Sequence, residues 1–86
     1  MATVTIRYWA AAKEAAGVAE DTVEARTLAE ALAAVLARRG ADGRLGRVLA
    51  GSSFLVDGAP AGRREPADLA LQEAAVVEVL PQFAGG

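Results

Sequence analysis

The start of the chain alternates between hydrophobic and polar residues, and this alternation predicts a β-strand. In the segment TVTIRYW, Val4, Ile6 and Tyr8 fall on one face, whereas Arg7 and Trp9 fall on the other. A period of two is typical of a strand that buries one face against the core. We therefore expect this segment to be the first strand.

Later segments carry similar strand patterns. The alternation in EDTVEA predicts a second strand, paired with the first as a hairpin, with Val23 and Ala25 facing the same way. The apolar run AVVEVLP predicts the last strand, which ends at Pro81 because proline lacks the N–H for a ladder hydrogen bond. The other candidate strands are residues 54–56, which lead into a turn at Asp57-Gly58, and a short edge strand at residues 69–71.

The segment TLAEALAAVLARRG predicts the one long helix. Thr27 and Glu30 have the spacing of a capping box, in which two side chains satisfy free N–H groups at the helix start. Arg38 and Arg39 complement the negative end of the helix dipole, and Gly40 suits the position after the last turn. The segments AAAKEAAG and ADGRLGRVLAG predict no more than a helical turn each. The apolar stripe of the long helix consists of Leu28, Leu32, Val35 and Leu36.

The order β-β-α-β-(β)-β with one long helix predicts an α+β protein of the ubiquitin-like, β-grasp kind. A single helix can cover only one face of a mixed sheet. A ferredoxin-like fold is the alternative, and it would need a second full helix. We expect a β-grasp domain over residues 1–80 and a flexible C-terminal tail over residues 81–86 that ends in Gly85-Gly86.

The first and last strands of a β-grasp sheet are neighbours, and this places outward-facing residues together. Glu78 would then pair with Arg7, and Trp9 would lie beside Leu80 where the tail leaves the sheet. Exposed aromatic clusters often mark interfaces. We therefore interpret Trp9 and Leu80 as a partner-docking surface; the alternative is that the Ala-rich segment folds over Trp9 and buries it.

Composition excludes several classes of function. The 86 residues carry a formal net charge of −2 and contain no cysteine and no histidine, which removes thiolate nucleophiles, imidazole bases and the metal sites that these residues build. We expect no bound metal and no permanently bound cofactor. The scattered basic residues argue against nucleic-acid binding. Because no apolar run is long enough for a bilayer and no secretory signal is present, we expect a cytoplasmic protein without a membrane partner.

Three stretches resemble the MoaD/ThiS family of ubiquitin-like sulfur carriers. They are VTIRYWAAAKEAAG at the start, TLAEALAAVLARRG in the helix and VVEVLPQFAGG at the end. Together with the Asp57-Gly58 turn, the resemblance covers nearly the whole chain. The two ends are most similar to those of the small subunit of molybdopterin synthase.

This resemblance implies that an E1-like adenylyltransferase uses ATP to adenylate the Gly86 carboxylate. A sulfurtransferase or cysteine desulfurase would supply the sulfur for a thiocarboxylate at Gly86. In molybdenum cofactor biosynthesis, this group would donate sulfur to a precursor held by the molybdopterin synthase large subunit, which would carry the catalytic residues in place of this chain. Ala84 and Gly85 would thread a narrow channel. Phe83 would either anchor the tail in a partner pocket or fold back onto the sheet.

Other functions remain open from the sequence. A carrier of the same family could serve thiamine, cysteine or another sulfur-containing metabolite. A ubiquitin-like modifier would share the adenylation of Gly86 but would end in an isopeptide bond to a substrate lysine. A plain β-grasp binding module would make no use of the tail.

Overall fold

The computed structural model describes residues 1–40 and 43–82. Their elements, in chain order, are β1 (Ala2–Tyr8), α1 (Ala10–Ala16), β2 (Glu20–Ala25), α2 (Leu28–Arg39), α3 (Arg44–Ala50), β3 (Ser52–Val56), β4 (Ala59–Pro60), a 3₁₀-helix (Pro66–Asp68) and β5 (Val76–Pro81). The predicted long helix is α2. The two segments in which only a turn was expected form the seven-residue helices α1 and α3.

The sheet has the strand order β2-β1-β5-β3-β4, with the first and last of the predicted strands in its middle. β1 runs parallel to β5, with Ile6 opposite Val77 and Tyr8 opposite Val79, whereas the other neighbouring strands are antiparallel. This arrangement confirms the predicted β-grasp fold. It also excludes the ferredoxin-like alternative, in which the first and last strands are antiparallel.

The core lies between the inner face of the sheet and the helices α1, α2 and α3, each of which contributes buried residues. The side chains without measurable exposure include those of Val4, Ile6, Val35, Val77 and Val79. Each such aliphatic side chain contributes roughly 1.5–3 kcal/mol when it is fully buried. The alternation along β1 therefore predicted correctly that Val4, Ile6 and Tyr8 lie on the buried face of the strand.

The apolar stripe of α2 is centred differently from the prediction. Leu28, Ala31 and Val35 are buried, whereas Leu32 and Leu36 are only half-buried at the side of the stripe. The sequence pattern overlooked Ala31 because a small side chain adds little to an apolar count. A small residue there allows the backbone of the helix to pack closely on the sheet.

The N-terminus of α2 shows a modified capping box. The Thr27 hydroxyl accepts a hydrogen bond from the Glu30 N–H at 3.2 Å, as predicted. The Glu30 carboxylate, however, accepts from the N–H of Arg26 at 2.7 Å rather than from that of Thr27. The reciprocal bond is therefore formed one residue further upstream, and both bonds hold the chain at its entry to the helix.

The predicted turn at Asp57-Gly58 is confirmed as the connection of a β-hairpin. Both residues have positive φ, 50° and 84°, which is the requirement of the tight turn that matches strand twist. The turn leads into the two-residue strand β4, which forms the edge of the sheet. Residues 69–71, predicted as the edge strand, instead make a single bridge between Ala70 and Thr27. That prediction was wrong because Leu69 and Leu71 alternate inward without a strand partner.

A buried carboxylate joins three parts of the fold. Asp21 is 6% exposed on the inner side of β2. Its oxygens accept hydrogen bonds from the Tyr8 hydroxyl at 2.7 Å, from Arg38 Nη1 at 3.1 Å, and from both Nε and Nη2 of Arg39. Arg38 also donates to the carbonyl of Thr22 at 3.1 Å. The two arginines thus bind Asp21, which is a more specific role than the predicted complement to the helix dipole.

These contacts shift the pKa values of both Asp21 and Tyr8. The hydrogen bonds from Arg39, aided by those from Tyr8 and Arg38, lower the pKa of Asp21 to about 2 from its ordinary 3.8, against the opposing effect of burial. Burial and the hydrogen bond to Asp21 raise the pKa of the Tyr8 hydroxyl well above its ordinary range. Asp21 therefore stays charged and Tyr8 stays neutral near neutral pH.

Replacing Asp21 should destabilise the protein and change its response to acid. Because the folded-state pKa of Asp21 lies below its ordinary value, its contribution is present above pH 4 and is lost as the pH falls towards about 2. Asp21→Asn leaves the two arginines without their anion. We expect a loss of about 2 kcal/mol in the free energy of unfolding at pH 7, measured by urea titration, and a shallower decline of stability below pH 4.

The control is Glu24→Gln on the same strand. Glu24 is exposed and accepts a hydrogen bond from the Thr3 hydroxyl at 2.9 Å. We expect this variant to unfold within about 0.5 kcal/mol of the wild type. Equal losses in the two variants would show that the Asp21 contacts do not stabilise the fold.

Candidate functional site

The parallel pairing of β1 and β5 brings the ends of both strands to one edge of the sheet. Tyr8 and Val79 are the last residues paired in this ladder. The Trp9 N–H continues it by donating to the Val79 carbonyl at 3.3 Å. Trp9 therefore lies at the register position next to Leu80, as the sequence predicted.

Trp9 keeps an extended backbone, with φ −116° and ψ 150°, at the N-terminus of α1. Its carbonyl turns into the helix, where it accepts a hydrogen bond from the Ala12 N–H at 3.0 Å. The side chain is 49% exposed, so α1 does not fold over it. This excludes the alternative in which the Ala-rich segment buries Trp9.

Leu80 and Pro81 complete the exit from the sheet. Both side chains are half-buried, and both residues pair with β3, Leu80 opposite Ser53 and Pro81 opposite Ser52. If the ladder between β1 and β5 continued, the backbone nitrogen of residue 81 would donate the next hydrogen bond, to the Trp9 carbonyl. Pro81 has no N–H, and the Trp9 carbonyl accepts a hydrogen bond within α1 instead. The proline therefore ends the ladder without leaving an unpaired donor.

The predicted ion pair between Arg7 and Glu78 is not formed. The two residues are opposite each other in the β1–β5 register, but Arg7 Nε lies 3.4 Å from Glu20 Oε2 on β2. Arg7 is opposite Glu20 in the antiparallel register as well. The ion pair of Arg7 therefore joins β1 to β2 and not to β5.

The remaining predicted site residues, Phe83, Ala84, Gly85 and Gly86, lie outside the residues that the structure describes. Strand β5 extends through Pro81, one residue past the expected domain boundary. Gln82 is the last described residue, and it follows directly from the strand. Trp9 and Leu80 are thus placed together at the base of the predicted tail.

Two properties of the described residues bear on other classes of function. In residues 1–40 and 43–82, no three acidic side chains are grouped so that they could hold a metal ion. No helix in the same part of the chain has the length and apolar character needed to cross a membrane.

The hydrogen bond between Tyr8 and the buried Asp21 at this edge of the sheet was not predicted from the sequence. Tyr8, directly before Trp9, is held by the buried Asp21. Asp21 occupies an inward position of β2, in phase with Val23 and Ala25. Two features of the sequence could have indicated this buried ion cluster. Asp21 shares the face of β2 that carries core residues, and two arginines lie at the end of α2.

The β-grasp sheet, with its last strand leaving beside an exposed aromatic residue, defines a small ubiquitin-like protein. The chain belongs to the ThiS family, whose model matches residues 6–86. A comparison with the sequences of curated proteins finds no match.

Several solved structures share the fold. Small archaeal modifier protein 1 from Methanosarcina acetivorans is 21% identical, with a TM-score of 0.84 over 100% of this chain and 98% of that one. Small archaeal modifier protein 1 from Haloferax volcanii is 22% identical, with a TM-score of 0.72 over 98% and 99%. A chain in the complex of subunits 1 and 2 of the molybdopterin-converting factor from Helicobacter pylori 26695 is 21% identical, with a TM-score of 0.67 over 98% and 99%.

The exposure of Trp9 leads to a prediction about stability. Because half of its side chain remains in water and its cap position uses no side-chain bond, Trp9→Ala should change the free energy of unfolding by at most about 1 kcal/mol. The comparison variant is Val79→Ala, which leaves a cavity in the core and should cost about 2 kcal/mol. Urea titrations of the two variants measure both values. A larger loss for Trp9→Ala than for Val79→Ala would show that Trp9 is a core residue.

Proposed function

We propose that this chain is a sulfur carrier whose Gly86 carboxylate is adenylated and then converted to a thiocarboxylate that donates sulfur. The observation that carries the proposal is the position of the chain's exit from the sheet. Strand β5 ends at Pro81 beside the exposed Trp9, and five residues lead from there to Gly86. An extended segment of that length spans about 17 Å, enough to reach an active site from a docked domain.

The proposed chemistry needs only a terminal carboxylate from this chain. A terminal carboxyl group has a pKa of about 3.5, so it is ionised at neutral pH and can attack the α-phosphate of ATP. The attack releases pyrophosphate and leaves an acyl-adenylate on Gly86. A sulfur nucleophile then displaces AMP from the carbonyl carbon. The absence of cysteine from the chain fits a carrier in which the terminus itself holds the sulfur.

The residues around the tail have separate roles in this proposal. Trp9 and Leu80 form the surface on which the partner docks, with Phe83 as a further anchor. Ala84 and Gly85 pass through the partner's channel because small residues allow the backbone a close approach to the reacting groups. ATP is consumed by an E1-like adenylyltransferase, and a sulfurtransferase or cysteine desulfurase supplies the sulfur. No cofactor is retained by the carrier.

Within this class we assign the chain to the small subunit of molybdopterin synthase, acting in the cytoplasm. The assignment is supported by the likeness to a chain in the complex of molybdopterin-converting factor subunits 1 and 2. The large subunit would be the sulfur-receiving partner and would carry the catalytic residues. Delivery to thiamine, cysteine or another sulfur-containing metabolite would use the same activated terminus with a different partner.

A protein modifier is the second candidate function. It is supported by the fold shared with small archaeal modifier protein 1 from two organisms. A modifier begins with the same adenylate but transfers Gly86 to an amine instead of to sulfur. The two functions therefore differ in the nucleophile that receives the activated glycine.

Alkylation after activation tests the carrier function. The chain is incubated with ATP, an E1-like adenylyltransferase and a sulfur source, and then treated with a thiol-alkylating reagent. We expect one label per molecule in the intact mass, mapped to Gly86, because the chain has no cysteine to compete for the reagent.

Deletion of Gly86 is the control, and it should remove the label. The activating enzyme is first shown to be competent on a known carrier. Absence of the label from the intact chain under those conditions would refute the carrier function.

Trp9→Ala should slow activation without unfolding the protein. An aromatic residue at the centre of an interface typically contributes 2 kcal/mol or more. We expect the initial rate of Gly86 labelling at limiting enzyme to fall about tenfold. Arg47→Ala, on an exposed position of α3, is the matched control and should label at the wild-type rate. Equal rates for Trp9→Ala and the wild type would exclude Trp9 from the docking surface.

A further inference from the structure

The chain contains a single lysine. Of its nine basic residues, Lys13 is the one lysine and the other eight are arginines. Primary amines attack activated carboxyl groups, whereas the guanidinium group of arginine stays protonated and does not. Lys13 Nζ and the N-terminal amine of Met1 are therefore the amines through which one copy of this chain could receive the activated Gly86 of another.

Lys13 lies at the end of the sheet from which the tail leaves. It is exposed on α1, and its N–H approaches the Trp9 carbonyl at 3.4 Å, one turn away. Its side chain lines a surface groove of about 250 Å³ together with Trp9, Arg7, Tyr8 and Glu20. Among the described residues, Lys13 forms no ion pair, whereas its neighbour Glu14 pairs with Arg44 at 3.6 Å.

The N-terminal amine lies at the other end of the same strand. Met1 precedes β1, whose seven residues span about 23 Å before Trp9. In the acceptor copy, Lys13 therefore lies at the edge of the sheet that carries Trp9, whereas Met1 lies at the opposite edge. This geometry separates the two available amines.

We propose that Lys13 is the self-conjugation site of this chain, receiving Gly86 from a second copy to form covalent oligomers. The inference rests on the proposed activation of Gly86. In the step, Lys13 Nζ attacks the carbonyl carbon of the Gly86 adenylate, the new C–N bond forms, and the C–O bond to AMP breaks. AMP leaves, the nitrogen releases its proton to solvent, and an isopeptide bond remains. The ATP consumed is that of the activating enzyme.

The test is to incubate the chain with ATP and an E1-like activating enzyme without a sulfur source, and to follow covalent dimers by denaturing electrophoresis. Trypsin does not cut after a modified lysine, so the dimer should yield a branched product joining residues 8–26 to residues 65–86. We expect Lys13→Arg, which keeps the charge, to reduce dimer formation at least tenfold. Acetylating the N-terminus of the wild type should leave dimer formation unchanged.

A parallel sample with a sulfur source reports the activation of Gly86 by alkylation, separately from conjugation. Lys13→Arg should be alkylated as fully as the wild type. Alkylation of Gly86 without any dimer, dimers that persist in Lys13→Arg, or a branch mapped to Met1 would each overturn the role of Lys13 and leave the carrier function standing. Absence of both alkylation and dimers, with a competent enzyme, would overturn both proposals.

Discussion

The parallel pairing of β1 with β5 is the constraint on which the rest of the structure depends. It places the first and last strands in the middle of the sheet, where Ile6 and Val77 lie side by side and are fully buried. Parallel neighbouring strands end at the same edge of the sheet. The turn from β1 into α1 at Trp9 therefore lies at the edge where β5 ends at Pro81. The same pairing that builds the core therefore sets an aromatic residue beside the base of the tail.

The buried Asp21 holds the end of β1 in place from the inner side of the sheet. Its carboxylate accepts hydrogen bonds from the Tyr8 hydroxyl and from two guanidinium groups. These bonds join the end of β1 to β2 and to the end of α2. Breaking such a cluster from one side is costly because uncompensated charges remain. Tyr8 is thereby held in one position, and Trp9, the next residue, begins from a fixed backbone. The exposed Trp9 therefore follows a residue whose side chain is fixed in the core.

The period-two patterns of the strands, together with the capping box and apolar stripe of the long helix, were sufficient to predict the fold and the position of Trp9. Burial on one face of a strand or helix is a local property of the sequence. The partners of Arg7 and Arg38 could not be predicted in the same way. A long charged side chain reaches several carboxylates, and the choice depends on the register of strands distant in sequence. The single bridge of Ala70 and the extent of α3 likewise depend on tertiary packing, which outweighs weak local preferences.

The proposed function requires that the folded domain presents Gly86 to an activating enzyme, a step shared by carriers and modifiers. The most direct measurement is the exchange of labelled pyrophosphate into ATP by an E1-like adenylyltransferase, because exchange requires reversible formation of the acyl-adenylate. We predict exchange that depends on this chain and disappears when Gly85 and Gly86 are removed. Exchange that is the same with and without the chain, or that survives the removal of both glycines, would contradict the proposed function.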